Sequence, residues 1–125
     1  MQDETAVRAL CDQVREAAYA LHKYLLHGHL EKVYENGLAH RLLKSGLIVE
    51  QQRPLSVCDE DGTVLGNYYA DLFVNECLIV ELKACERIAN EHIAQVLGYL
   101  KAAKQRHALI INFGAPRFEI RKLAL

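Results

Sequence analysis

The sequence predicts an α+β or α/β sandwich around one sheet, and three observations carry that expectation. Apolar residues recur at helical spacing through the first third of the chain. The middle then changes to short apolar runs separated by turn residues, the signature of antiparallel strands. The helical period returns once more, and two short apolar runs close the sequence. Helices before and after a run of strands are the pattern of a single sheet with helices packed against it.

Each element has its own signal. Val7, Leu10, Val14, Ala17, Leu21 and Leu25 line one helical face, with Asp3 and Thr5 as start signals. Gly28 interrupts that pattern. Leu30, Val33, Leu38 and Leu42 mark a second helix, closed by the Ser45-Gly46 stop. Ile48-Val49 begins a strand expected to end at Pro54, and Leu55-Ser56-Val57 begins another. Asp61-Gly62 is a turn signal. Tyr69 to Val74 and Leu78 to Ala84 read as two further strands. Ile93, Val96, Leu97 and Leu100 place a third helix between about Ile88 and Ala103. Ala108 to Phe113 is a short strand, and Phe118, Ile120 and Leu123 suggest a last one past Pro116. With 125 residues and no linker, repeat or low-complexity tract, residues 1–125 read as one domain.

Composition narrows the function classes. Half of the chain is hydrophobic (51%) and a quarter charged (25%), which is ordinary for a folded protein and excludes wholesale disorder. A net charge of -1 argues against a polycation that coats nucleic acid, and leaves room for a local basic groove. Cys11, Cys58, Cys77 and Cys85 are scattered with no CxxC pair, so they read as reduced thiols of a cytoplasmic protein rather than a zinc site. The N-terminal MQDETAVRAL lacks the apolar core of a signal peptide, and no apolar run approaches the ~20 residues of a membrane span. No membrane association is expected.

One stretch stands out within the apolar strands. In IVELKA, residues 79–84, Glu81 and Lys83 alternate with Val80 and Leu82 and so share a strand face. If the chain reverses at Asn75-Glu76-Cys77, antiparallel pairing places Asp71 opposite Glu81, with Cβ atoms roughly 5 Å apart. Two carboxylates that close repel, and a divalent cation resolves the conflict by binding both. Hard oxygen ligands beside an ammonium suit Mg²⁺, with Mn²⁺ as a substitute, better than zinc. The plainer alternative is an ion pair of Lys83 with Glu81 or Asp71.

A family resemblance bears on that choice. The run YADLFVNECLIVELKA resembles the core motif of the PD-(D/E)XK nuclease superfamily, an acidic residue on one strand followed by (D/E)-X-K on the next. Here these are Asp71 and Glu81-Leu82-Lys83. Upstream, GHLEKVY, with Gly28, Glu31 and Tyr34, is similar to the pattern that names the GxxExxY group. Downstream, Gln95 to Tyr99 resembles the QxxxY helix motif of RecB-like branches. The loop before Glu31 reads LLHGH where the group is usually rich in glycine and proline, and Tyr69 stands where a basic residue often precedes the AD pair.

The resemblance implies a restriction-endonuclease-like fold, a mixed central sheet flanked by helices, and a metal-dependent nuclease. Asp71 and Glu81 would be metal ligands, with Glu31 a third acidic contact, directly or through water. Lys83 would orient or deprotonate the attacking water and help stabilise the phosphorane. Gln95 would reach the metal-site water, a base or a phosphate, and Tyr99 would pack beside it or touch the backbone. His92 reads as a solvated helix residue, and His27 and His29 as loop polar groups. Lys101, Lys104 and Arg106 crowd the end of the third helix, as phosphate contacts or as partners of the helix dipole. The expected substrate is nucleic acid, DNA by the habit of the superfamily, with a homodimer or protein partner where the near-neutral chain needs help to hold it. The alternative is a nucleic-acid- or protein-binding module that keeps the fold without turnover.

Overall fold

The structure, a computed structural model, describes residues 3–125. Helix α1 spans Glu4–Leu25 and is capped where the sequence indicates, the Asp3 carboxylate accepting the Ala6 N–H at 2.7 Å. Its buried stripe runs through Val7, Leu10, Val14, Ala18 and Leu21. Helix α2, Glu31–Lys44, ends at Ser45, and Gly46 takes the left-handed φ of 94° that the stop requires. There Leu47 donates to Leu42 O and Gly46 to Leu43 O.

Five strands form one mixed sheet in the order β1-β2-β3-β4-β5. They span β1 Val49–Cys58, β2 Val64–Val74, β3 Leu78–Lys83, β4 His107–Asn112 and β5 Glu119–Ala124, with α3, Asn90–Ala103, between β3 and β4. Pairing is antiparallel except for β3 with β4, whose parallel register runs from Leu78↔His107 to Lys83↔Asn112. That crossover through α3 makes the sheet mixed. The reversal falls where expected. Asn75 and Glu76 both have positive φ (50° and 56°), as in a type I′ hairpin turn, and Cys77 donates to Val74 O.

Two boundaries differ from the sequence expectation. Pro54 does not end a strand, because β1 continues through it, pairing Pro54 with Tyr69. As β1 is an edge strand, half of its N–H groups face away from any partner, and proline fits at such a position. Likewise β2 begins at Val64 rather than Tyr69. Residues 64–69 are exposed on both faces of the hairpin arm, so the alternation that announces a half-buried strand is missing there.

The core lies on both faces of the sheet. Leu72, Val80, Leu82, Leu109 and Ile111 pack against α1 and α2 on one side. Phe73, Ile79, Ala108 and Ile110 meet Val96, Tyr99 and Leu100 of α3 on the other. Each fully buried Leu, Ile or Val contributes roughly 1.5–3 kcal/mol to holding these layers together. β4 is buried at all six positions, and β3 at every position but Lys83. Within that pair of strands Glu81 is a buried acid, 3% exposed. All four cysteines are free thiols. Among the described residues no helix is long and apolar enough to cross a membrane.

Candidate active site

The site is built where β2 and β3 part. Their ladder pairs Val74 with Leu78, Phe73 with Ile79 and Leu72 with Val80, then stops one step short of Asp71 and Glu81. Side chains take over from the backbone at that step. Glu81 Oε2 accepts the Asp71 N–H at 2.6 Å, and Asp71 Oδ2 accepts the Leu82 N–H at 2.8 Å. The two carboxylates thus cross between the strands, Glu81 accepting from the backbone of Asp71 and Asp71 from that of Leu82, the residue after Glu81. Asp71 Oδ1 takes a further bond from Gln52 Nε2 at 3.2 Å.

This arrangement puts negative charge in a poorly solvated place. Burial, then the Asp71 charge, pushes Glu81 up to about 8, against which the Asp71 N–H and Lys83 act only partly. Asp71 is also raised, first by burial, with the Leu82 N–H and Gln52 opposing. Glu31, the first residue of α2, is raised by burial of its carboxyl and by Asp71, while Lys83 and a hydrogen bond from the Ala84 N–H lower it. Glu31 is more exposed than the other two, yet it lies within electrostatic reach of Asp71, Lys83 and the end of β3.

Lys83 is half-buried, and its Nζ lies 3.4 Å from Gln95 Oε1. Among the described residues no ion pair within 4 Å joins it to Asp71 or Glu81. The ion pairs that do form are Arg15–Asp12, Lys32–Glu35 and Arg53–Glu50. The simple ion-pair reading of ELK is therefore not what this fold contains. Tyr99 is buried against Tyr68, ring centroids 5.0 Å apart. Burial and then the Glu81 and Asp71 charges push its phenol up to about 12, so it stays protonated beside the carboxylates.

Other candidates are placed elsewhere. His92 Nδ1 accepts the Ala89 N–H at 3.0 Å, which caps α3. His27 and His29 are exposed in the loop before α2. Lys104 and Arg106 line a cavity of about 390 Å³ with Glu4 and the Asn75–Cys77 turn, at the end of β3 opposite Glu81. Lys101 lies in the last turn of α3, where a cation complements the helix dipole.

The motif residues upstream hold the loop rather than the charge. Gly28 has a φ of 115°, which side-chain-bearing residues rarely adopt. Fully buried Tyr34 stacks on Phe113 at 4.7 Å, donates its hydroxyl to Leu26 O, and accepts the His29 N–H at 3.2 Å. Together they fix the point at which α2, and so Glu31, begins.

Three residues absent from the sequence reading belong to the surroundings. Glu35 is 4% exposed and is held by Lys32 Nζ at 2.9 Å, Gln51 Nε2 at 2.7 Å and Gln52 Nε2 at 2.8 Å. Its position was legible, one helical turn from Glu31 on the same face. Gln52 had no sequence signal. Buried Asn112 ties β4 to the segment after Lys83, accepting the Cys85 N–H at 3.1 Å and donating to Cys85 O at 3.0 Å. A lone polar residue inside HALIIN was its signal.

Among the described residues no three His, Cys, Asp or Glu side chains stand together as a ready-made metal cage. The donor chemistry nevertheless suits a hard divalent cation. Three carboxyls are held above their ordinary range by burial and by neighbouring carboxylates, and oxygen is the ligand that Mg²⁺ and Mn²⁺ take.

Comparison with the curated proteins found no match, and neither did comparison with the solved structures. The family model of the PD-(D/E)XK nuclease superfamily matches residues 8–123, nearly the whole chain, and the mixed five-stranded sheet with three helices agrees with a restriction-endonuclease-like fold. The chain belongs to the PD-(D/E)XK nuclease superfamily.

Proposed function

We propose that this domain is a divalent-metal-dependent nuclease that hydrolyses phosphodiester bonds in DNA, and that it falls in the GxxExxY group of its superfamily. One observation carries the reading. Two facing carboxylates, both raised, stand at the splayed end of β2 and β3, with the Lys83 ammonium beside them and unpaired with either. A structural ion pair would have closed that gap. Support for the GxxExxY assignment comes from the left-handed Gly28, from Glu31 at the start of α2 and from the Tyr34 clamp.

Asp71 and Glu81 would hold Mg²⁺, or Mn²⁺ in its place, with Glu31 as a third acidic contact. When bound, the cation polarises the scissile phosphate and acidifies water. Lys83 orients the attacking water and offsets the negative charge that develops on the phosphorane. Gln95 keeps the ammonium aimed along α3. Tyr99, protonated and packed on Tyr68, walls the carboxylates from solvent and can donate a hydrogen bond to a phosphate oxygen.

A second reading is favoured by the lack of a ready-made cage among the described residues: a module that binds nucleic acid or protein without cleaving it. Lys83→Met separates the two, because it removes the charge and keeps the packing. Single- and double-stranded DNA and RNA are incubated with Mn²⁺ and identically purified parent and variant. The nuclease reading expects parent cleavage that falls at least roughly a hundredfold in the variant. Tight binding with no cleavage by the parent on any substrate would transfer the assignment to the binding module. Equal traces of activity in both would mark a contaminant.

A further inference from the structure

Gln51 and Gln52 are neighbours on β1, yet their amides reach the same carboxylate. Gln51 Nε2 donates to Glu35 Oε2 at 2.7 Å and Gln52 Nε2 to Glu35 Oε1 at 2.8 Å. Successive residues of a regular strand point to opposite faces, so a regular β1 could not do this. The break is at Gln52, whose φ is 54°. On either side the β1–β2 register is intact, Gln51↔Leu72 and Arg53↔Ala70, and the pairing skips Gln52 and Asp71 between them. The alternation of β2 breaks at the same place. Ala70 packs with the α3-side core and Leu72 with the α1- and α2-side core, although two residues apart on a strand should share a face.

A left-handed φ at a non-glycine residue inside a strand is unfavourable and persists only where surrounding contacts over-determine it. Here the contacts are visible. The Gln52 amide nitrogen lies between two carboxylates on different elements, Glu35 Oε1 on α2 and Asp71 Oδ1 on β2. The Glu35 end is rigid, since that side chain is buried and held by two further donors, Lys32 and Gln51. At the other end each Asp71 oxygen has one protein donor, Leu82 N–H on Oδ2 and Gln52 on Oδ1. A carboxylate oxygen has two lone pairs, so each keeps one for a cation while the rotamer is fixed.

We propose that Gln52 is a positioning residue: its amide locks Asp71 against buried Glu35, and the left-handed turn in β1 aims that amide. The inference rests on the reading of Asp71 as a ligand for a divalent cation. It adds that α2 and β1 preset this ligand, through residues that touch neither metal nor substrate.

The test is calorimetric titration of the metal-free full chain with Mn²⁺ alone, beside thermal unfolding of the same samples. Gln52→Gly suits the left-handed backbone and deletes the amide. Gln52→Asn tolerates that backbone too, and shortens the reach by one methylene. We expect Mn²⁺ affinity to fall roughly tenfold in Gln52→Gly, the lower end for partners that orient a metal ligand, and by less in Gln52→Asn. The melting temperature of Gln52→Gly should stay close to the parent's, since relief of the strained φ offsets the lost hydrogen bonds. A purely structural Gln52 would do the reverse, lowering the melting temperature and leaving Mn²⁺ affinity alone, and that result overturns the inference. Asp71→Ala is the control. Mn²⁺ binding abolished in Asp71→Ala but intact in both Gln52 variants sinks the positioning role and spares the metal reading. No Mn²⁺ binding by the parent sinks both.

Discussion

Replacing Glu81 by glutamine should make the metal-free protein more stable at alkaline pH, and the size of the effect follows from the burial of one carboxyl. In the folded chain Glu81 is raised from an ordinary 4.5 to about 8. Below the ordinary value the group is protonated in folded and unfolded chains alike, and the stability is fully present. Between the two values the unfolded chain releases a proton that the folded chain keeps, so stability is lost as pH rises through the folded value. The slope is about 1.4 kcal/mol per pH unit across that window, with a ceiling of roughly 5 kcal/mol. Asp71 is raised too and titrates together with Glu81, so removing one acid of the pair should recover about 2–3 kcal/mol. Glutamine keeps a carbonyl oxygen for the Asp71 N–H, so the crossing hydrogen bond survives. The assay is urea unfolding in a chelator at about pH 5, 7 and 9, with parent and variant within ~1 kcal/mol at the acid end and apart by about 2–3 kcal/mol at the alkaline end. A parent whose stability is flat or rising between about pH 5 and 8, parallel to the variant, would refute the claim that Glu81 is buried as an acid under repulsion.

Two further substitutions probe the supports of the site. Tyr34→Phe deletes the hydroxyl that bridges Leu26 O and the His29 N–H, and should cost about 1–2 kcal/mol with faster amide exchange at His29. Unchanged stability and exchange would show that Tyr34 acts only through stacking on Phe113. Gly114→Ala would place a Cβ 2.2 Å from Cys85 N and 2.4 Å from the Ala84 carbonyl carbon, with backbone on both counts and no room to yield. The expected cost is about 2–3 kcal/mol in urea unfolding, with a shifted Lys83 environment, because Phe113 next door donates to Lys83 O at 2.8 Å. A neutral Gly114→Ala would mean that the segment after β3 is looser than its packing.

How far the sequence could be read depended on whether a residue obeys its element's period. Asp71 and Glu81 were legible because a reversal at Asn75-Glu76-Cys77 and a period of two set the register, and the observed ladder keeps it up to Leu72↔Val80. What happens one step later was not legible. Two carboxylates that face each other were expected to need a cation at once, whereas they first accept backbone N–H groups across the strands, Glu81 from Asp71 and Asp71 from Leu82. Gln52 was invisible because it acts by breaking the alternation, and left-handed glutamine has no sequence signature. Pro54 misled because proline stops central strands and is tolerated at an edge, and edge status is a property of the assembled sheet. Glu35 was overlooked for a different reason: its spacing from Glu31 was plain, but nothing in the sequence says which face of α2 is buried against β1 and which is wet.

The central claim is that the junction of Asp71 and Glu81 holds a divalent cation. Its most direct test is anomalous diffraction from crystals of the full chain grown with Mn²⁺. The account predicts one strong peak about 2.1–2.2 Å from an oxygen of Asp71 and one of Glu81, within reach of Glu31 directly or through water. A peak only elsewhere, such as the cavity between Glu4 and Glu76, would contradict it, as would no peak in the junction at saturating Mn²⁺.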